Sequence, residues 1–130
     1  MSEMTISAAA QAASLSVKTV RYYADIGLVD ASGRKASGYR TYDERAVRKL
    51  VFVRRARDFG FSVDQCRELL SLYGKQDRSS AEVKRIATQR LNEIAEKRRE
   101  LELLESELSM LVQSCRGDSR PDCPIIDYLG

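Results

Sequence analysis

The chain has 130 residues, 43% hydrophobic and 32% charged, with no histidine, three cysteines and a formal net charge of +3. That length suits about one domain with a modest core. No apolar run approaches the roughly eighteen residues of a membrane span, and the first residues lack the basic-then-apolar pattern of a secretory leader. The expected location is therefore the reducing cytoplasm, away from membranes, where an odd cysteine count does not build a disulfide framework. Charge is uneven: residues 1–60 hold eleven Lys/Arg against six Asp/Glu, and residues 61–130 hold eleven against thirteen. A basic amino-terminal half points to a polyanionic partner for that half.

Nearly every segment up to residue 120 reads as helix, since both prolines, Pro121 and Pro124, lie beyond it. "TISAAAQAA" (5–13) is a strong helix former with Thr5 as its cap. "SLS" (14–16) breaks it, and Ser16 caps a second helix ending near Gly27. In that helix Val17, Val20 and Ala24 share an inward face, while Lys18, Thr19, Arg21 and Tyr22 lie away from it. Two short helices joined by a tight turn, the second basic and aromatic outside, predict a helix-turn-helix. "DASGRKASGYRTYD" (30–43) then predicts a small β-hairpin, or wing, around Arg34 and Lys35. Asp43 caps a helix ending at Gly60, and Ser62 with Gln65 forms a capping box for a helix ending at Gly74.

From Ser79 the pattern changes to thirty-odd residues without Gly or Pro, opened by a second expected capping box of Ser79 and Glu82. Ile94, Leu101 and Leu108 recur every seven residues, with Leu104 and Leu111 interleaved, as along a coiled-coil seam. Arg90 and Lys97 interrupt the seam upstream. A lone helix cannot bury such a stripe, so a symmetric homodimer, parallel or antiparallel, is the natural solution. The expected organisation is mainly α: a winged helix-turn-helix domain with connecting helices (1–75), a dimerisation helix (76–114), then a metal-binding loop and short terminal helix (115–130).

Two features carry function. The first is the helix-turn-helix and wing, whose Lys18, Thr19, Arg21, Tyr22, Arg34, Lys35, Tyr39, Arg40 and Arg57 are the expected DNA contacts, with Tyr42 a further candidate against sugar. The second is "SCRGDSRPDCP" (114–124), which sets Cys115 and Cys123 eight positions apart around Gly117. Thiolates bind soft metals. A two-thiolate site suits linear Cu(I), Ag(I) or Au(I), whereas zinc takes four ligands and an iron–sulfur cluster about four cysteines. On these residues alone, unrelated thiols or a redox pair remain open readings. Cys66, beside Leu69 and Leu70 in a predicted helix, reads as a small core residue. Without histidine no Ser–His or Cys–His couple exists, and no phosphate-cradling glycine pattern appears, so no enzyme is expected.

"TVRYYADIGLV" followed by "GYRTYDERAVRKLVFVRRARDFGFSVDQCRELL" resembles the DNA-binding domain of the MerR family of transcriptional regulators, and "CRGDSRPDCPII" is similar to its copper-efflux (CueR/HmrR-like) branch. The resemblance covers essentially the whole chain. It implies a homodimer with antiparallel long helices that binds double-stranded promoter DNA. It also implies Cys115 and Cys123 as the Cu(I) ligands, and Ser80 where divalent-metal members carry a cysteine reaching in from the partner subunit. It implies activation as well: metal binding lets the protein bend and untwist an over-long promoter spacer so that RNA polymerase engages both elements. Two other functions fit some of the same residues, a regulator sensing oxidants through a Cys115–Cys123 disulfide and a coiled-coil metal scavenger without DNA binding.

Overall fold

A computed structural model of the chain describes residues 3–130, so Met1 and Ser2, where the leader expectation begins, lie outside the described residues. The element order is β1 (Met4–Thr5), α1 (Ile6–Ala13), α2 (Val17–Asp25), β2 (Gly33–Arg34), β3 (Arg40–Tyr42), α3 (Glu44–Asp58), α4 (Val63–Leu72), α5 (Ser80–Ser114) and α6 (Pro124–Leu129). The chain divides into two compact units, Met1–Ala87 and Thr88–Gly130.

Helix starts in the first unit follow the caps written in the sequence. The Thr5, Ser16 and Asp43 side chains accept the amides of Ala8, Thr19 and Ala46, and Ser62 and Gln65 form the full reciprocal box. α1 ends where Ser14 turns left-handed at φ 59°, its amide reaching Gln11 O (3.2 Å) while that of Leu15 reaches Ala10 O (2.9 Å). That Schellman closure turns the chain within three residues and brings α2 against α1. In α2 the deepest residues are Val20 and Tyr23, whereas Val17 and Ala24 are only half-buried. The inward face is thus centred one step from the expected one, because a tyrosine ring fills more of the core than Ala24 can.

The wing forms as a hairpin, with Gly33 opposite Thr41 and Arg34 opposite Arg40. Its loop is closed by Lys35 N–H to Tyr39 O and Gly38 N–H to Lys35 O, both 2.8 Å, with Gly38 at φ 91° as this three-residue connection requires. One strand escaped the sequence reading. β1 pairs with β3, Met4 opposite Tyr42 and Thr5 opposite Thr41, so β3 is the middle strand of three. Tyr42 of β3 belongs to the core beneath α1 and α3 and is fully buried, so its expected place against DNA sugar is corrected.

The core lies between α1, α2, α3 and α4. Ala9, Ala10 and Ala13 of α1 meet Leu50 and Val53 of α3, with Val20, Val29, Tyr42, Cys66 and Ile86 completing the cluster. Cys66 is buried, as its helical neighbours suggested, and burial raises its pKa. The second expected capping box does not close. Ser79 Oγ accepts the Ala81 amide (3.2 Å), but the Glu82 carboxylate turns to Arg85 Nη2 at 2.6 Å, where a full charge outcompetes a backbone amide. Among the described residues no helix is long and apolar enough to cross a membrane.

Candidate nucleic-acid interface and metal centre

α2 presents Lys18, Arg21 and Tyr22 outward, and Tyr22 is 52% exposed. Thr19, placed with them by sequence, is half-buried and serves the helix start, where its hydroxyl takes the Ser16 hydroxyl proton at 2.8 Å. The wing adds Lys35 and Tyr39, both exposed at its tip. Lys35, Tyr39 and Arg40 line a cavity of about 320 Å³ together with Thr5, Ile6 and Ser7 at the start of α1. The wing tip thus lies beside the start of α1, with Lys35 and Arg40 the basic groups of that cavity.

The arginines differ in what they already hold. Arg34 donates to Gly38 O (2.9 Å) and braces the wing loop. Arg40 pairs with Asp25 at 3.1 Å, tying β3 to the last turn of α2. Arg57 donates to Phe61 O (2.5 Å) and faces Tyr23. Burial pushes the Tyr23 hydroxyl pKa up, and that guanidinium partly offsets the rise. Sequence reasoning missed Arg67. From α4 it donates to Gly27 O at 3.1 Å and Ile26 O at 3.2 Å, across forty positions of chain that carry no local signal.

In the second unit α5 ends with Cys115 N–H against the Leu111 and Val112 carbonyls (both 3.2 Å). The loop then turns at Gly117, φ 66°, and Asp118 gathers the Arg120 amide (3.0 Å) and guanidinium (2.8 Å). Those contacts hold the Asp118 carboxyl below its ordinary pKa. Cys123 occupies the N-cap position of α6 with Pro124 next. The outcome is a Cys115 Sγ to Cys123 Sγ distance of 3.4 Å, with both residues half-buried. The Ile126 amide, the Cys115 thiol and the Ile125 amide lower the pKa of Cys123, favouring the thiolate. Tyr128 donates to Glu107, laying α6 back along α5. Among the described residues no group of three or more Cys, Asp or Glu side chains converges as a metal cage would.

Ser80 opens α5 and is exposed. The seam residues Ile94 (41%), Leu101 (55%), Leu104 (60%) and Leu108 (55%) stand open in the single chain, with Leu111 half-buried. Together with Leu91 they make a larger apolar exposure than a monomeric helix carries without a partner.

Comparison with known proteins agrees with this arrangement. Residues 4–72 match the model of the MerR HTH family regulatory proteins and residues 47–111 that of the MerR DNA-binding region. The chain is 48% identical over 126 residues to the HTH-type transcriptional regulator HmrR of Rhizobium leguminosarum bv. viciae, covering 97% of each. It is 39% identical over 126 residues to CueR of Salmonella typhimurium, covering 97% of this chain and 91% of that one. The crystal structure of PbrR691 from Ralstonia metallidurans CH34 in complex with lead(II) superposes with a TM-score of 0.83 at 31% identity, covering 98% of this chain and 99% of that one. A basic helix-turn-helix with its wing, a long helix with an open leucine stripe and full-length likeness to these regulators lead to one assignment: the chain belongs to the MerR family of DNA-binding transcriptional regulators and is not an enzyme.

Proposed function

We propose that the chain is a metal-responsive transcriptional activator that binds promoter DNA as a homodimer and takes Cu(I), or its congeners Ag(I) and Au(I), as effector on Cys115 and Cys123. The carrying observation is the pair of half-buried sulfurs 3.4 Å apart at the facing ends of two helices. Two thiolates match the softness of a monovalent coinage-metal ion. Such a pair leaves one net negative charge on the site, which the Ile126 and Ile125 amides favour. Ser80, the family's position for a partner-supplied cysteine, offers a hydroxyl and no third thiolate. HmrR and CueR support a metal-sensing regulator, and lead-bound PbrR691 makes a divalent ion the competing reading.

Lys18, Arg21, Arg34, Lys35, Tyr39, Arg40 and Arg57 supply phosphate and base contacts, with Tyr22 packing against the backbone and Thr19 fixing the helix start. Counterion release then makes affinity fall steeply with salt. The dimer remodels the promoter spacer so that RNA polymerase engages both elements, using the different affinities of its two states for metal. The deciding experiment is transcription in vitro from the protein's own promoter with mono- and divalent metals, for the wild type, Cys115→Ser and Cys123→Ser. Induction by Cu(I) or Ag(I) in the wild type alone is expected, with DNA binding retained in both variants. Induction only by Zn(II), Pb(II) or Hg(II), or normal induction in either variant, overturns the assignment. The short sulfur–sulfur distance also favours a second reading, disulfide-based sensing of oxidants. Stoichiometric Cu(I) uptake by the reduced dimer without oxygen excludes it.

A further inference from the structure

α2 ends in an electrostatically awkward way. The carbonyls of Tyr22, Tyr23 and Ala24 are taken by the amides of Ile26, Leu28 and Gly27 (3.0, 2.8 and 3.1 Å), and this helix end is the negative pole of its dipole. Asp25, its last helical residue, adds a full negative charge there. Two guanidiniums from elsewhere answer this. Arg40 takes the Asp25 carboxylate at 3.1 Å, and Arg67 takes the carbonyls of Ile26 and Gly27 with its two terminal nitrogens at 3.2 and 3.1 Å. Arg67 is carried by α4, a turn of helix whose next residue, Glu68, accepts Arg85 of α5 at 3.2 Å. Gly27 itself sits at φ 71°, and the chain beyond it is held by the Leu28 and Val29 amides to Tyr23 O (2.8 and 3.2 Å). The turn leaving α2 is thus a crossing point, closed by its own backbone amides and held from α4 by a planar, two-pronged donor.

We infer that Arg67 is a positioning residue for sequence recognition: by clamping the Ile26 and Gly27 carbonyls, in the turn just beyond α2, from α4 it fixes the angle at which Lys18, Arg21 and Tyr22 are presented to the bases, without itself touching DNA. This rests on the reading of α2 as the DNA-reading helix. A tilt of α2 disturbs base contacts, which need bidentate geometry, far more than phosphate contacts, which tolerate movement. Losing the clamp therefore lowers specific affinity while non-specific binding stays almost unchanged.

The test measures dimer binding to the operator and to a scrambled duplex across a salt series, for the wild type, Arg67→Ala, Arg67→Lys and Arg21→Ala. The expected result for Arg67→Ala is a loss of about tenfold on the operator, in line with removing hydrogen bonds from a charged donor. Little change on the scrambled duplex and an unaltered salt slope should accompany it. Arg67→Lys, which keeps the charge but loses the planar two-pronged fork, should recover part of the loss. Wild-type operator affinity in Arg67→Ala overturns the inference, as does an equal loss on both duplexes, which is the mark of general destabilisation. A salt slope reduced by about one also overturns it, because that is the signature of a direct phosphate contact. Arg21→Ala separates the two levels: if it binds the operator like the wild type, the reading of α2 fails; if it loses binding while Arg67→Ala does not, only the positioning role fails.

Discussion

Replacing Leu108 tests the dimer directly, and the size of the effect follows from its exposure. Burying a whole leucine side chain is worth about 1.5–3 kcal/mol. Leu108 is 55% exposed in the single chain, so covering it recovers roughly 1–1.5 kcal/mol per copy on the same scale. Twofold symmetry counts each substitution twice, giving about 2–3 kcal/mol per dimer, or roughly a hundredfold in dissociation constant. Leu108→Ala should lose most of that. Leu108→Asp should lose more, since it adds two carboxylates without partners to the seam. Leu103 is the control: it is 73% exposed on the same helix but off the heptad positions, so Leu103→Asp should leave association intact. Sedimentation equilibrium over a range of concentrations reads all three constants. A Leu108→Asp dimer as tight as the wild type, or a Leu103→Asp variant equally weakened, would show that the seam runs along another face.

Two further outcomes concern the first unit. Asp43 accepts the Ala46 amide at 2.8 Å, and chiefly that bond, then the Ser32 hydroxyl, holds its carboxyl below the ordinary 3.8. A depressed folded-state pKa contributes stability that is present above 3.8 and lost as pH falls through the lower folded value. Melting temperatures measured downward in pH should therefore show an acid-dependent loss that Asp43→Asn, which keeps a capping oxygen, flattens. Parallel curves for the two proteins would disprove the cap as its source. Leu50, fully buried in α3, should cost about 2–5 kcal/mol when cut to alanine. Urea unfolding measures this, and a loss below about 1 kcal/mol would place Leu50 outside the tightly packed core.

Much of the fold was legible because its signals are local. Thr5, Ser16, Asp43 and Ser62 each sit one residue before a helix and bond the amide three residues on, so side-chain identity alone announces the start. Glycines fit as stops because Gly27, Gly60 and Gly74 take positive φ at helix ends. Where a local signal met a stronger competitor, the reading failed. Glu82 had the spacing for a capping box, yet Arg85 three residues later offered a full charge. β1 is two residues long, too short for any alternation, and exists only because β3 supplies partners from thirty-six and thirty-eight positions away. Tyr42 was misplaced for a related reason, since the helices α1 and α3 that cover its ring come from other parts of the chain and composition alone leaves it on the surface.

The candidate metal centre was legible in kind but not in construction. Two cysteines around a Gly/Pro loop announce a thiol pair, and the 3.4 Å separation agrees with that expectation. A long helix ending just before Cys115 and a short terminal helix after the loop were expected from the sequence, which does not announce that Tyr128 reaches Glu107. These two connections span eight positions of α5, from Glu107 to Cys115, and five of α6, from Cys123 to Tyr128. A helix joined to another at a single point can still pivot, whereas one joined at two points along its length cannot. On the proposed assignment of Cys115 and Cys123 as ligands, bridging them would therefore act on the angle of α6 as well as on the loop. Because α6 exposes Ile126 and Leu129 at 66% and 75%, fixing that angle decides where a small apolar face is presented.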